Sequence, residues 1–346
     1  MLLGRSSAAG LPRWRGFNLQ EKFTDKPDEW ADVAPEWGRS NEPFLESDFE
    51  SIAELGFNFA RLPMSYRCWT DPADPFRLLE APLSEIDRAV EWGRQYGVHV
   101  CLNFHRAPGF CINAYYSPEP WNLWTDSYAR ELFAHHWRHF ARRYRGVPGA
   151  DLSFNLVNEP NLCTAQEYAD AMAPAIAAIQ DEDAGRTLVI DGLFGEATLP
   201  VEQLLAVPGA VHSARGYAPF KLTHYLATWA GSPSEPPVWP DPPGAEIEWN
   251  REVFERYCVR PWLDFEAKGA RVFVGEWGCY NRTPHEVALA WMRDCLELWR
   301  DVGWGWALWC FRGSFGILDS GRDDVVYENW KGRQLDRRML ELLREF

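Results

Sequence analysis

The sequence lacks any apolar run approaching the roughly 20 residues that span a bilayer, which excludes a transmembrane helix. Its N-terminus, MLLGRSSAAGLPRW, holds only two or three consecutive apolar residues, short of the roughly 7–15 in a secretory leader. The expected location is therefore the cytoplasm, or outside the cell if a leader has been removed. Basic residues are scarce: 35 Lys and Arg stand against 50 Asp and Glu, a net charge of −15. Such a chain repels phosphate backbones and anionic lipid, so nucleic acid and membrane are excluded as partners and a neutral small molecule is favoured. The eight cysteines include no CxxC pair, which reads as scattered buried thiols and not as a disulfide or zinc framework. No HxH or HExxH spacing occurs, so no metal site is expected, and no GxSxG elbow offers a serine nucleophile.

What the chain does hold is apolar and aromatic. A hydrophobic fraction of 46% with 15% aromatic residues supports a folded core and excludes disorder. The 19 tryptophans exceed what a core needs. Most are expected to be packing residues, and the rest suit a cleft in which flat rings stack on pyranose faces.

At 346 residues the chain is long enough for two average domains or for one α/β barrel, and the pattern of elements decides. Strand-like runs at 15–19, 57–62, 98–104, 151–157, 187–190, 210–215, 271–277 and 305–311 alternate with helical stretches at 47–55, 84–96, 126–144, 165–180, 250–268, 284–301 and 334–345. From Pro284, which suits a first helical turn, Val287, Trp291, Cys295 and Leu298 recur at spacings of three and four. Eight strand–helix units close an α/β, single-domain (β/α)8 TIM barrel. The fifth unit, with DGLFGEATLPVEQLLA, permits only a short helix. An open doubly wound sheet is the alternative, but no GxGxxG or GxxxxGK(S/T) follows any strand to support it. The Pro-rich stretch 232–244, within residues 219–249, falls between the sixth strand and its helix. It reads as a long loop at the barrel mouth and not as a domain linker.

LSFNLVNEPN, at 152–161, poses the functional question, because an apolar strand ends by presenting Asn158, Glu159 and Pro160. Barrels of this kind gather their active sites at the C-terminal ends of the strands. Arg61 ends strand two, His105 follows strand three, Asn158 and Glu159 end strand four, Arg215 and Tyr217 end strand six, Glu276 ends strand seven, and Trp309 lies in strand eight. A lone glutamate at a strand end reads as a helix cap or an ion-pair partner. Two at matching ends, Glu159 and Glu276, are the minimal equipment of a glycosidase.

GFNFARLPMS (56–65), NFHRAPG (103–109), FNLVNEP (154–160), GYAPFKLTHY (216–225), VFVGEWG (272–278) and GWALWCFRGSFGILDSGR (305–322) together resemble the cellulase family, glycoside hydrolase family 5, over nearly the whole chain. The resemblance implies a retaining mechanism without a cofactor, in which Glu159 is the acid/base and Glu276 the nucleophile. It also implies that Arg61 and Tyr217 donate charge and a hydrogen bond to Glu276, that Asn158 bonds the sugar 2-hydroxyl, that His105 orients the same sugar, and that Trp309 forms its stacking floor. One position departs from the pattern. The family places His two residues before the strand-six tyrosine, where this chain has Arg215, and His212 three residues earlier is the other candidate for that role. A permanent cation at this point bears on the pH optimum and on the donor sugar.

The expected activity is hydrolysis of a β-linked glucan or mannan-type oligosaccharide or polysaccharide. Insertions at 66–76, 110–124 and 219–249 would wall off one end of the cleft, favouring a pocket that removes terminal sugars over a groove that cuts internally. A carbohydrate-binding barrel without catalysis is the alternative from another class, and the intact glutamate pair argues against it.

Overall fold

The computed structural model describes residues 12–26, 41–113, 117–195, 197–231 and 234–346. Most of the stretch weighed as a leader, through residue 11, lies outside them, as do residues 114–116 and 232–233 of two predicted loops. Parallel strands alternate with helices in (β/α)8 order, the barrel that the sequence pattern predicts. The strands are β1 Arg15–Asn18, β2 Phe59–Ser65, β3 His99–Ala107, β4 Leu152–Asn155, β5 Thr187–Asp191, β6 Ala210–Gly216, β7 Val272–Trp277 and β8 Trp306–Leu308. Apart from one short turn of helix at Phe220–Thr223, the α-helices are α1 Glu46–Glu54, α2 Glu80–Tyr96, α3 Ser127–Arg143, α4 Ala165–Glu182, α5 Arg251–Phe254, α6 Arg260–Glu266, α7 His285–Val302 and α8 Arg337–Glu345. A π-helical turn, Glu255–Val259, joins α5 to α6. Only the short turn Glu202–Leu204 follows β5, as the composition of that unit predicts. Pro284 precedes α7 and does not occupy its first turn.

Two compact units are built from these elements. The first comprises Leu19–Phe194 and Val201–Ser213. In it β2, β3, β4 and β5 pair in parallel in that order, and β5 continues onto the start of β6 through Asp191 opposite Ser213. β2 is buried along its whole length, as a strand must be when helices cover one face and side chains fill the other. Trp137 of α3 stacks on Phe104 of β3 at 4.2 Å and donates its Nε1–H to the Leu156 carbonyl at 3.2 Å. These contacts strap α3 to the chain just past β4. The start of α4 is a capping box: Thr164 Oγ1 accepts from the Glu167 N–H at 3.2 Å, and Glu167 Oε2 accepts from the Thr164 N–H at 2.8 Å. An antiparallel hairpin, Thr70–Asp71 against Asp74–Leu78, fills most of the 66–76 insertion.

The second unit comprises the chain ending at Asn18, Gly195–Pro200 and Ala214–Phe346. Here β8 pairs in parallel with both β1 and β7. Asn18 Nδ2 reaches the carbonyls of Gly275, Ala307 and Leu308 at 3.2–3.4 Å. Trp277 meets Trp299 edge-on at 4.8 Å and Trp306 at 5.6 Å. A Cβ on Gly216 would stand 2.8 Å from Trp277 Cβ and 2.9 Å from the Trp299 ring, so this close approach requires glycine. Most of the described tryptophans are buried, in keeping with packing as their main use. Seven of the eight cysteines are buried thiols. No described helix is long and apolar enough to cross a membrane.

Candidate active site

In the first unit, β4 stops at Asn155, earlier than its apolar run, so Asn158 and Glu159 stand on a bend beyond the ladder. The Leu156 N–H donates to the Val189 carbonyl at 3.1 Å and the Asn158 N–H to the Phe104 carbonyl at 2.9 Å, which holds the bend between β3 and β5. Glu159 has φ 45°, in the left-handed region that residues with a side chain adopt at a cost. Its N–H donates to Asp191 Oδ2 at 3.0 Å.

Arg61 and His105 lie within their strands and not at the ends, because β2 runs on to Ser65 and β3 to Ala107. The residues that follow, Leu62 to Met64 and Arg106 to Ala107, are buried and continue the pairing. Arg61 donates from Nε to Asn155 Oδ1 at 2.9 Å and from Nη2 to Asn158 Oδ1 at 2.6 Å. Asn155 Nδ2 in turn donates to Asp191 Oδ1 at 2.9 Å. Because the Asn158 carbonyl oxygen faces the guanidinium, its Nδ2 is set as the donor edge of that amide. His105 Nε2 is 2.8 Å from Asn113 Oδ1, and the ring rests against Phe23 at 4.4 Å. Arg106 donates to the Ser117 carbonyl at 2.6 Å and to Glu119 at 3.0 Å. Glu119 also accepts from the Gly109 N–H at 3.2 Å and pairs with Arg67 at 2.7 Å. One buried carboxylate thereby folds the described end of the 110–124 loop back onto the end of β3.

In the second unit, Glu276 lies in β7 and is buried. The Tyr217 hydroxyl donates to its Oε1 at 2.9 Å, and Arg215 Nη2 is 3.9 Å from Oε2. Tyr217, one residue past β6, is itself braced: its carbonyl accepts from Thr223 Oγ1 at 2.6 Å, and its ring meets that of His224 at 5.2 Å. Burial pushes the His224 imidazole down to about 3, so it stands beside the phenol as a neutral group. The Arg215 N–H donates to Thr198 Oγ1 at 3.0 Å, and the Thr198 carbonyl accepts from Trp262 Nε1 at 3.0 Å. His212 and Arg215 are three residues apart along β6, so their side chains leave opposite faces of the strand. Arg215 is the residue of this pair that shares a unit with Glu276 and stands beside it. Trp309 follows β8 and does not lie in it; its N–H donates to the Trp277 carbonyl at 2.7 Å, and its side chain is buried.

Asp191 thus holds the Glu159 main chain, and Tyr217 holds the Glu276 carboxylate. The family profile described as Cellulase (glycosyl hydrolase family 5) matches residues 13–314, a span that contains every expected site residue from Arg61 to Trp309. The chain belongs to glycosyl hydrolase family 5. Membership of family 5 makes it a retaining glycoside hydrolase with a carbohydrate substrate. A solved glycoside hydrolase is 38% identical with a TM-score of 0.87, covering 96% of this chain and 99% of its own. Endoglucanase C of Acetivibrio thermocellus is 26% identical over 308 residues, 82% of this chain and 88% of that one. Cellodextrinase A of Ruminococcus flavefaciens is 26% identical over 257 residues, 72% of each.

Asn113, Asn155, Asp191 and Thr198, each bonded to an expected site residue, were not among the residues singled out from the sequence. Asp191 carries a signal, because it closes the apolar run TLVID at the end of β5. Asn155 lies within the quoted motif FNLVNEP, which marks the segment without giving that residue a role, and Asn113 carries no signal in periodicity or motif.

Proposed function

We propose that this family 5 member hydrolyses β-linked glucan or mannan-type oligosaccharides, with Glu276 as nucleophile and Glu159 as acid/base. The observation that carries the reading is the setting of Glu276, whose Oε1 accepts from the Tyr217 hydroxyl while Arg215 faces Oε2. A carboxylate oriented by one neutral donor and a nearby cation is suited to attack an anomeric carbon. As its oxygen bonds to that carbon, the glycosidic C–O bond breaks and Glu159 delivers its proton to the departing oxygen. Water then attacks the same carbon, Glu159 takes the water proton, and the bond to Glu276 is released with overall retention. In this reading the Nδ2 edge of Asn158 bonds the 2-hydroxyl, Arg61 fixes that amide, His105 orients the same sugar and Trp309 supplies the stacking floor.

We further infer a pocket that removes terminal sugars from short chains. Support comes from the hairpin at 70–78 and from the described end of the 110–124 loop, which buried Glu119 anchors. Internal cleavage is the second reading, favoured by the relatives named endoglucanase. A panel of nitrophenyl β-glycosides and matching oligosaccharides tests both. Wild type is expected to turn over one or two sugars of the panel. Azide is expected to restore Glu276→Ala with the α-glycosyl azide as product and Glu159→Ala with the β-anomer. The same anomer from both variants would overturn the roles, and mixed internal fragments from a long glucan would overturn the pocket.

A further inference from the structure

We propose that Asp191 is a positioning residue for the acid/base, a role that rests on the assignment of Glu159 above. Asp191 closes β5 and is buried. Each of its carboxylate oxygens takes a different donor: Oδ2 accepts from the main-chain N–H of Glu159 at 3.0 Å, and Oδ1 accepts from Asn155 Nδ2 at 2.9 Å. Two N–H donors converging on two oxygens require a carboxylate. An asparagine would turn its own NH2 group towards one of them.

The first of these bonds acts where the backbone is least ordinary. Past the end of β4, the N–H groups of Leu156 and Asn158 go to carbonyls of the neighbouring strands, whereas that of Glu159 goes to a side chain. Glu159 is in the left-handed region at φ 45°, where a residue with a Cβ needs a surrounding structure that over-determines it. The Asp191 carboxylate supplies that hold by taking the Glu159 N–H. The second bond leads through Asn155 to Arg61 and from there to Asn158 Oδ1, the residue before Glu159. Asp191 therefore bears on both residues, on the Glu159 main chain directly and on the Asn158 side chain through Asn155 and Arg61. Its own carbonyl is fixed by the Tyr168 hydroxyl of α4 at 3.2 Å. The consequence is a fixed direction for the Glu159 carboxyl, and displacing a general acid by an ångström costs on the order of 100-fold.

The test compares wild type, Asp191→Asn, Asp191→Ala and Glu159→Ala on aryl glycosides of one sugar whose leaving groups range from dinitrophenol to unactivated alcohols. Proton donation matters only for the poor leaving groups. The Asp191 variants are therefore expected to lose roughly 100-fold in kcat/KM on those, with the asparagine variant the less affected, and to stay within about threefold of wild type on the dinitrophenyl glycoside. Trapping of Glu276 by an activated fluoro-sugar, followed by intact mass, is expected at the wild-type rate and shows that the variants are folded with the nucleophile in place. Equal losses on all leaving groups together with slow trapping, or no loss on any, would overturn the positioning role. Glu159→Ala separates the two readings. If it too shows no leaving-group dependence, the assignment of Glu159 falls; if it shows the dependence and the Asp191 variants do not, only the role of Asp191 falls.

Discussion

Removing one oxygen atom, in Tyr217→Phe, measures how much the phenol contributes to Glu276, the nucleophile proposed above. The hydroxyl donates to Glu276 Oε1 at 2.9 Å, and the ring is buried and braced by His224 at 5.2 Å, so phenylalanine fills the same space. A hydrogen bond to a charged group contributes about 1.5–3 kcal/mol. If that energy orients the carboxylate for attack, its loss lowers the first chemical step by roughly 10- to 150-fold. A bond that acts only in the transition state lowers kcat and kcat/KM together, so that pattern is expected, with KM little changed. The assay is the rate at which an activated fluoro-sugar labels Glu276, read by intact mass, alongside kcat/KM on a dinitrophenyl glycoside. The melting temperature is expected to fall by no more than several degrees, because one buried bond is lost and no cavity opens. Labelling within about twofold of wild type in a folded variant would refute the reasoning, since the bond would then serve the ground state and transition state alike.

Stability is expected to decline in mild acid. Burial pushes His99 down to about 4 and His224 to about 3, so both imidazoles are neutral in the fold and take up protons on unfolding below pH 6.5. The unfolded chain then binds more protons, and stability falls with falling pH by about 1.36 kcal/mol per unit for each imidazole. For His99 the window runs from 6.5 down to about 4, and the whole loss is about 3 kcal/mol; thermal unfolding of His99→Gln across this range should show a shallower decline than wild type, and an unchanged slope counts against the shift. Gly216→Ala would place a Cβ 2.8 Å from Trp277 and 2.9 Å from Trp299. It should cost about 1–3 kcal/mol and lower kcat by displacing the flanking Arg215 and Tyr217, both read by calorimetry and aryl-glycoside kinetics. Thr164→Ala removes the exposed capping box of α4 and should cost about 1 kcal/mol while leaving kcat unchanged, so a kinetic defect there would show that α4 steers Glu159.

The eight strands were legible because each apolar run is bounded by turn residues and all but the fifth are followed by a helical pattern, which local physics imposes on this fold. The glutamates were legible because both directly close or follow such runs. Where the ladder stops was not. β4 and β8 end short of their apolar runs, while β2 and β3 run past Arg61 and His105. Strand ends depend on which neighbours still offer a partner, and composition does not record that.

By itself the sequence determined the order of strands and helices, the chemistry available at the strand ends and the family. Only the tertiary structure decided that Arg61 donates to two asparagines, that Arg215 faces Glu276, and that Asp191 holds the Glu159 main chain. Those bonds join residues tens of positions apart, at distances of a few ångströms that depend on strand register and on the face from which each side chain leaves. Register and face are settled by packing of the whole core, which is why no local stretch of sequence carries them.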